Sequence, residues 1–103
     1  MNLPINEQTV LITGAGRGLG SSISKSFHRE GAKVIINYRK SYKSAKRLRD
    51  FLGDNAILIK GDIRNKEEVI HMSKELSDQK IMVNTIVHNA INDYKFNGEQ
   101  RKK

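Results

Sequence analysis

The sequence predicts an α/β domain, a parallel sheet wound on both faces by helices. Three observations predict it. Short runs rich in β-branched residues recur along the chain, at Val10-Leu11-Ile12-Thr13, Lys33-Val34-Ile35-Ile36-Asn37, Ala56-Ile57-Leu58-Ile59 and Ile81–Val87. Stretches with apolar residues at helical spacing lie between them. Glycine is concentrated just after the first run, in Thr13-Gly14-Ala15-Gly16-Arg17-Gly18-Leu19-Gly20, where a strand would pass into a helix. Strands alternating with helices of this length imply right-handed crossovers and parallel pairing.

After Met1 to Glu7, the first strand covers about Thr9 to Thr13. The helix that follows starts from the glycine stretch and runs to about Glu30, with Leu19, Ile23 and Phe27 as its apolar stripe. Gly31 stands where a left-handed stop is usual. The second strand is Lys33 to Asn37. Ser41 is placed to cap the next helix, whose Ala45, Leu48, Phe51 and Leu52 share one face and which Gly53 ends. The third strand, Ala56 to Ile59, leads into Gly61-Asp62-Ile63. Asn65, three residues before Glu68, gives a capping-box-like start to a third helix with Val69, Met72 and Leu76 inward. The fourth strand, Ile81 to Val87, runs into His88-Asn89-Ala90. From Ile91 onward no period is sustained, so residues 1–91 are expected to form the domain and 92–103 an irregular basic tail.

A chain of 103 residues makes one small domain, burying about 60–65% of its extended-chain surface. No apolar run approaches the roughly 18 residues of a membrane span, and Met1 to Thr9 lacks the basic-then-apolar pattern of a signal peptide. Cysteine is absent, which excludes a disulfide framework and a thiolate metal site and makes a cytoplasmic location the expectation. The net charge is +8, and six of the 19 basic residues fall between Arg39 and Arg49 with no acid among them. Such a surface serves as a solvated helix face, a dock for an acidic partner, or a nucleic-acid site. The lack of interleaved stacking aromatics argues against nucleic acid.

The glycine stretch carries the chemistry. Missing Cβ atoms permit positive φ and let backbone N–H groups approach a ligand, while a helix N-terminus favours phosphate. The spacing selects among the known cradles. A dinucleotide fingerprint with glycines at relative positions 0, 2 and 5 would end on Leu19 or Ser21, and a triphosphate loop would need Gly-Lys-Ser/Thr where Gly20-Ser21-Ser22 stands. What fits is Thr13-Gly14, three residues, Gly18, one residue, Gly20. This resembles the cofactor loop of the short-chain dehydrogenase/reductase family; the plainer alternative is a glycine-rich turn that binds nothing. The resemblance covers about residues 5–97 and the first half of the family's usual domain. It implies a Rossmann-type doubly wound parallel sheet, first half only, with four strands in the order 3-2-1-4 and three helices.

Beside that resemblance, the individual residues take roles. Gly14, Gly16, Arg17, Gly18, Leu19 and Gly20 form the cradle. In this kind of fold the residues after strand two meet the adenosine ribose, where an acid would select NAD. Here that stretch is Asn37-Tyr38-Arg39-Lys40, with no acid, and the guanidiniums of Arg39 and Arg17 suit a 2′-phosphate. NADP(H) is therefore the expected cofactor, unless both arginines are ordinary surface charges. Asp62 could accept from the adenine amino group, as the family's Asp followed by an apolar residue implies for Asp62-Ile63; a lone Asp after a strand is otherwise a turn or cap residue. His88-Asn89-Ala90-Ile91 resembles the family's Asn-Asn-Ala-Gly, so Asn89 and Ala90 are expected near the nicotinamide ribose and His88 to pack or hydrogen-bond. His28 and His71 have no partner at metal-ligand spacing, so no metal is expected.

The family's active centre is a serine with a Tyr-x-x-x-Lys pair. Tyr42-Lys43-Ser44-Ala45-Lys46 has that spacing but begins the helix after strand two, at the adenosine end, and is set aside as a chance match. No catalytic residue is assigned. Thr13–Gly20, Gly31-Ala32-Lys33-Val34 and Asp62-Ile63 look most like the 3-oxoacyl-acyl-carrier-protein reductases of fatty acid biosynthesis, which reduce a β-keto thioester with NADPH. Two expectations follow. The chain is either the cofactor-binding part of such a reductase, completed by a C-terminal half, or a non-catalytic NADP-binding or interaction module that self-associates through Ile81–Val87.

Overall fold

The four apolar runs form four parallel strands, β1 (Thr9–Thr13), β2 (Lys33–Tyr38), β3 (Ala56–Lys60) and β4 (Thr85–Val87). They pair in the order β3-β2-β1-β4, which sets Leu11 between Ile35 and Ile86. Three helices connect them, α1 (Gly18–Arg29), α2 (Tyr42–Leu52) and α3 (Lys66–Asp78). The computed structural model describes residues 3–89; Ala90, Ile91 and the tail expected at 92–103 lie outside the described residues. Strand order reverses between β1 and β4, and in open parallel sheets the crevice beyond the carboxyl ends at such a reversal is where ligands bind.

Both faces of the sheet are covered, so the strands are apolar without alternation. In β2, Val34, Ile35, Ile36 and Asn37 are buried in succession. Val10, Ile12, Val34 and Ile36 cluster with Ala45 and Leu48 of α2, and Ile23 and Phe27 of α1 pack against them. On the other face Leu11, Ile35 and Ile59 meet Met72 and Leu76 of α3. Each fully buried Val or Ile side chain contributes about 1.5–3 kcal/mol. The interior amide of Asn37 is satisfied within the fold, its Nδ2 donating to Ile59 O at 3.2 Å and Gly61 O at 3.1 Å. That side chain fastens β2 to the exit of β3.

The helix stops are where the sequence put them for α1 and α2, with Gly31 at φ 98° and Gly53 at φ 77°. Four expectations need correction. Leu19 is 67% exposed, because α1 begins beyond the end of β1 and its first turn has a cleft beneath it instead of sheet. Phe51 is 71% exposed; it lies about 120° round the helix from Ala45, with the Lys25 ammonium 4.9 Å from its ring. Ser41 precedes α2 but makes no side-chain cap bond, its ψ of 62° departing from the extended geometry of a cap residue. Strand β4 is confined to Thr85–Val87, because β1 begins only at Thr9. Asn84 closes that start, its N–H donating to Thr9 O at 2.9 Å and its Oδ1 accepting from Thr9 N at 2.7 Å. Ile81 and Val83 pack against the core under α3 without being strand.

Candidate functional site

Strand β1 delivers Thr13, fully buried, to the mouth of the crevice. Its hydroxyl accepts the Asn89 N–H at 2.7 Å and lies 3.5 Å from Val87 O, so one oxygen joins the glycine loop to the end of β4. The loop then turns through Gly14 at φ 62° and Gly18 at φ 55°, a left-handed backbone that glycine adopts without penalty. Gly20 is needed for a different reason. A Cβ there would collide with Gly14 O and stand 2.6 Å from Asn89 Nδ2. Gly16 is nearly as tight, with Ala45 N 3.0 Å from where its Cβ would be.

The start of α1 is left without a side-chain cap. Its cap residue Arg17 makes no side-chain cap bond and its first turn holds no acid. The start of α3 shows the contrast, with Asn65 Oδ1 accepting from Glu68 N at 3.1 Å and Glu67 and Glu68 in the first turn. Helix N-termini carry free N–H groups and the positive end of the dipole. At α3 the protein's own side chains meet that demand, whereas the first turn of α1 makes no such cap and borders the cleft.

That cleft, about 320 Å³, is lined by Gly14, Gly16, Arg17, Gly18, Leu19, Tyr38, Arg39, Lys40, Ser41 and Asn89. A smaller recess beside it shares Gly14 and Arg39 and adds Asn37, Asp62, Ile63 and Arg64. The structure thus brings together every described residue that the sequence nominated, with one exception in role: Gly20 is buried beneath the loop and permits packing instead of lining the cleft. Ala90 lies outside the described residues. Arg39 directly follows β2, which ends at Tyr38, one residue later than expected.

Asp62 is gripped more firmly than a lone turn residue. Its Oδ1 accepts from the Arg64 backbone N–H at 2.9 Å and from Arg64 Nε at 3.0 Å, while Oδ2 accepts from Arg64 Nη2 at 3.0 Å. Arg39 Nη1 stands 3.9 Å from Oδ2. The Arg64 side-chain and backbone hydrogen bonds, with smaller help from the Arg39 charge, hold the Asp62 carboxyl down at about 2. Its own N–H donates to Glu68 Oε1 at 2.8 Å. Glu68 therefore reaches back to Asp62 instead of closing the capping box on Asn65.

Sequence reasoning missed Arg64, Asn37, Tyr38, Lys40 and Ser41 as site-lining residues. The signal for Arg64 was present, since an Asp side chain accepting the N–H two residues on is the usual Asx turn and Asp62-Ile63-Arg64 has that spacing. His88 was expected to pack or hydrogen-bond; its side chain is exposed. His28 packs to hydrogen-bond distance of Asp54 O, 2.9 Å, and His71 is exposed. Among the described residues there is no cluster of three or more metal-ligating side chains. The Tyr42–Lys46 pair has other contacts. Tyr42 stacks at a tilt on Tyr38, centroids 5.8 Å apart, and Lys46 binds Asp50 at 2.8 Å.

A family model for the short chain dehydrogenases matches residues 8–100. The chain belongs to the short-chain dehydrogenase family. Among its relatives, a versicolorin reductase from Emericella nidulans is 34% identical over 83 residues, covering 78% of this chain and 30% of that protein. A short chain dehydrogenase from Claviceps purpurea is 34% identical over 71 residues, 66% of this chain and 27% of that one. The chain thus spans about a quarter to a third of the length of these curated relatives. A 3-ketoacyl-(acyl-carrier-protein) reductase from Brucella melitensis, solved in complex with NADH, superposes with a TM-score of 0.69 at 32% identity over 78% of this chain and 32% of its own. A short chain dehydrogenase from Bacillus anthracis reaches a TM-score of 0.77 over 96% of this chain and 44% of its own, at 20% identity, and so shares the fold. The family's Rossmann-type order, 3-2-1-4, is the order found here. No helix among the described residues is long and apolar enough to cross a membrane.

Proposed function

We propose that this chain is the NADP(H)-binding portion of a short-chain dehydrogenase/reductase, a carbonyl reductase whose substrates are 3-oxoacyl thioesters. Arg39 carries the proposal. It follows β2 directly and lines both the glycine-loop cleft and the neighbouring recess, where a ribose 2′-phosphate would lie between them. The stretch Asn37-Tyr38-Arg39-Lys40 has no carboxylate there to repel that phosphate. The residues fit the rest of the cofactor: open N–H groups at the start of α1 for the pyrophosphate, Asp62 and Ile63 for adenine, Asn89 for the nicotinamide ribose. The bound nicotinamide would supply the hydride, and this chain's residues bind and orient it. The thioester assignment rests on similarity to the Brucella reductase. That protein's NADH makes cofactor choice the point to test.

The 103 residues include no serine with a Tyr-x-x-x-Lys pair at the family's place in the fold, so this stretch is expected to bind cofactor without turnover, in a cytoplasmic setting. A second reading, an NADP-binding module that self-associates, is favoured by one observation. Among the described residues β4 is an outer strand, with Ile86 65% and Met82 78% exposed.

The test is a titration of the chain with NADP and NAD, following thermal unfolding and cofactor fluorescence. A charge-assisted phosphate contact contributes about 1.5–3 kcal/mol, roughly 10–100-fold in affinity. Arg39→Asp should remove that margin for NADP and leave NAD little changed. Equal binding of both by the wild type would refute the proposal. Sedimentation without cofactor tests the module reading, which a monomer refutes.

A further inference from the structure

A carboxylate has about four lone-pair positions. At Asp62, Arg64 occupies three: backbone N–H and Nε on Oδ1, Nη2 on Oδ2. One position on Oδ2 remains. The nearest competitor for it is Arg39, whose Nη1 at 3.9 Å is beyond hydrogen-bond reach. A swing of the carboxylate by about 1 Å would close that loose ion pair into a direct hydrogen bond. Such a bond would use up the remaining Oδ2 acceptor of a residue that lines the recess.

We infer that Arg64 is the positioning residue of the adenosine recess. Its planar two-point grip, with its own backbone N–H, turns Asp62 so that one Oδ2 lone pair is left for an amino donor in the recess. The inference rests on the cofactor reading above and adds to it: adenine is read through its 6-amino group by an acceptor that a third residue aims. Geometry supports the division of labour. Arg64 lines the recess with Asp62 and Arg39, and its side chain is 56% exposed while that of Asp62 is 19% exposed. An exposed ion pair contributes little to stability by itself, so a grip of three bonds on a residue at the mouth of a recess is better explained by orientation. Lysine could not replace it, because a point ammonium lacks the fork that fixes both oxygens.

The experiment compares the 103-residue chain with Arg64→Gln and Arg64→Lys, using two probes, NADP and its hypoxanthine analogue, in which a ring carbonyl replaces the 6-amino group. The wild type should bind NADP about tenfold more tightly than the analogue. In Arg64→Gln that ratio should fall to about threefold or less, with the loss on NADP and little change for the analogue; Arg64→Lys should lie near Arg64→Gln. A purely structural role would weaken both probes alike and leave the ratio untouched. Undiminished discrimination in Arg64→Gln overturns the inference while the cofactor reading stands, as does a wild type that binds both probes equally. A wild type that binds neither probe overturns the cofactor reading, and this inference with it.

Discussion

The Gly20→Ala variant tests how the cradle is held together. The added methyl would collide with Gly14 O and stand 2.6 Å from Asn89 Nδ2 and 2.9 Å from Ala15 Cα. Two of those three atoms are backbone, so the strain cannot be relieved by turning a flexible side chain. Overpacking of this kind costs about 1–3 kcal/mol. The methyl also displaces Asn89 Nδ2 from Gly14 O, its acceptor at 3.3 Å, a further loss of about 0.5–1.5 kcal/mol. The sum is about 1.5–4.5 kcal/mol, or a melting temperature lower by roughly 6–36 °C for a domain of this size. Gly18→Ala is the matched control. Its Cβ would meet nothing within 4 Å, so only the positive φ is penalised, by about 1–2 kcal/mol. Calorimetry should therefore show Gly20→Ala falling at least twice as far as Gly18→Ala. In the double variant Gly20→Ala/Asn89→Ala, part of the loss should be recovered, because one clashing atom is gone. A Gly20→Ala chain that melts within about 3 °C of the wild type would refute the close-packed account of the loop.

Two further outcomes follow from the hydrogen bonds. Thr13→Val keeps the side-chain shape but leaves the Asn89 N–H without its 2.7 Å acceptor, so stability should fall by about 1–3 kcal/mol, and amide exchange should quicken first at Asn89 and β4; loss of protection spread evenly over the sheet would contradict this. Asp62→Asn removes a carboxylate whose folded-state pKa, about 2, lies below its ordinary 3.8. A group depressed on folding stabilises above its unfolded pKa and loses that contribution as pH falls through the folded one. The wild-type advantage over Asp62→Asn in urea melts should thus be full at neutral pH, shrink from pH 3.8 toward 2, and vanish below it; an advantage independent of pH in that window would show that Arg64 does not grip the ionised form.

What the sequence disclosed and what it withheld divide along a physical line. The strands were legible because branched residues in runs are a local signal, and so were the stops at Gly31 and Gly53 and the Asn65 cap, each settled within a turn of chain. The Leu19 environment was not. Helical spacing says which residues share a face, but how far the sheet extends beneath that face depends on where β1 ends and α1 begins. Phe51 failed for a related reason, since adjacent Phe51 and Leu52 cannot both point at the core and only packing against β3 and α1 decides between them. The length of β4 was set seventy-odd residues away, by the start of β1 at Thr9. The cradle itself was legible because its spacing is dictated by backbone conformation. The surroundings of Asp62 were half legible: the Asx turn is local, whereas the approach of Arg39 requires β2 and β3 to be neighbours.

The links among these loops determine how binding and stability must be separated in any measurement. Ala15 N donates to Asn37 O at 3.4 Å and Gly61 N to Tyr38 O at 2.9 Å, so with the Thr13–Asn89 bond the carboxyl ends of all four strands are tied to one another beside the cleft. A ligand that holds this ring together stabilises the fold by mass action, about 2.7 kcal/mol at a hundredfold excess over its dissociation constant. That is as large as the loss expected from Thr13→Val, so a saturated sample could hide the defect completely. The increment, not the final melting temperature, carries the information. A variant that acts on the fold, such as Thr13→Val, lowers the starting point and keeps the increment per decade of NADP. A variant that acts on recognition, Arg39→Asp, loses the increment for NADP alone, wherever its starting point falls. If Arg39→Asp instead lowered stability without cofactor and left the NADP increment intact, Arg39 would be a structural partner of Asp62 and the phosphate would have to be read by Arg17 or Lys40.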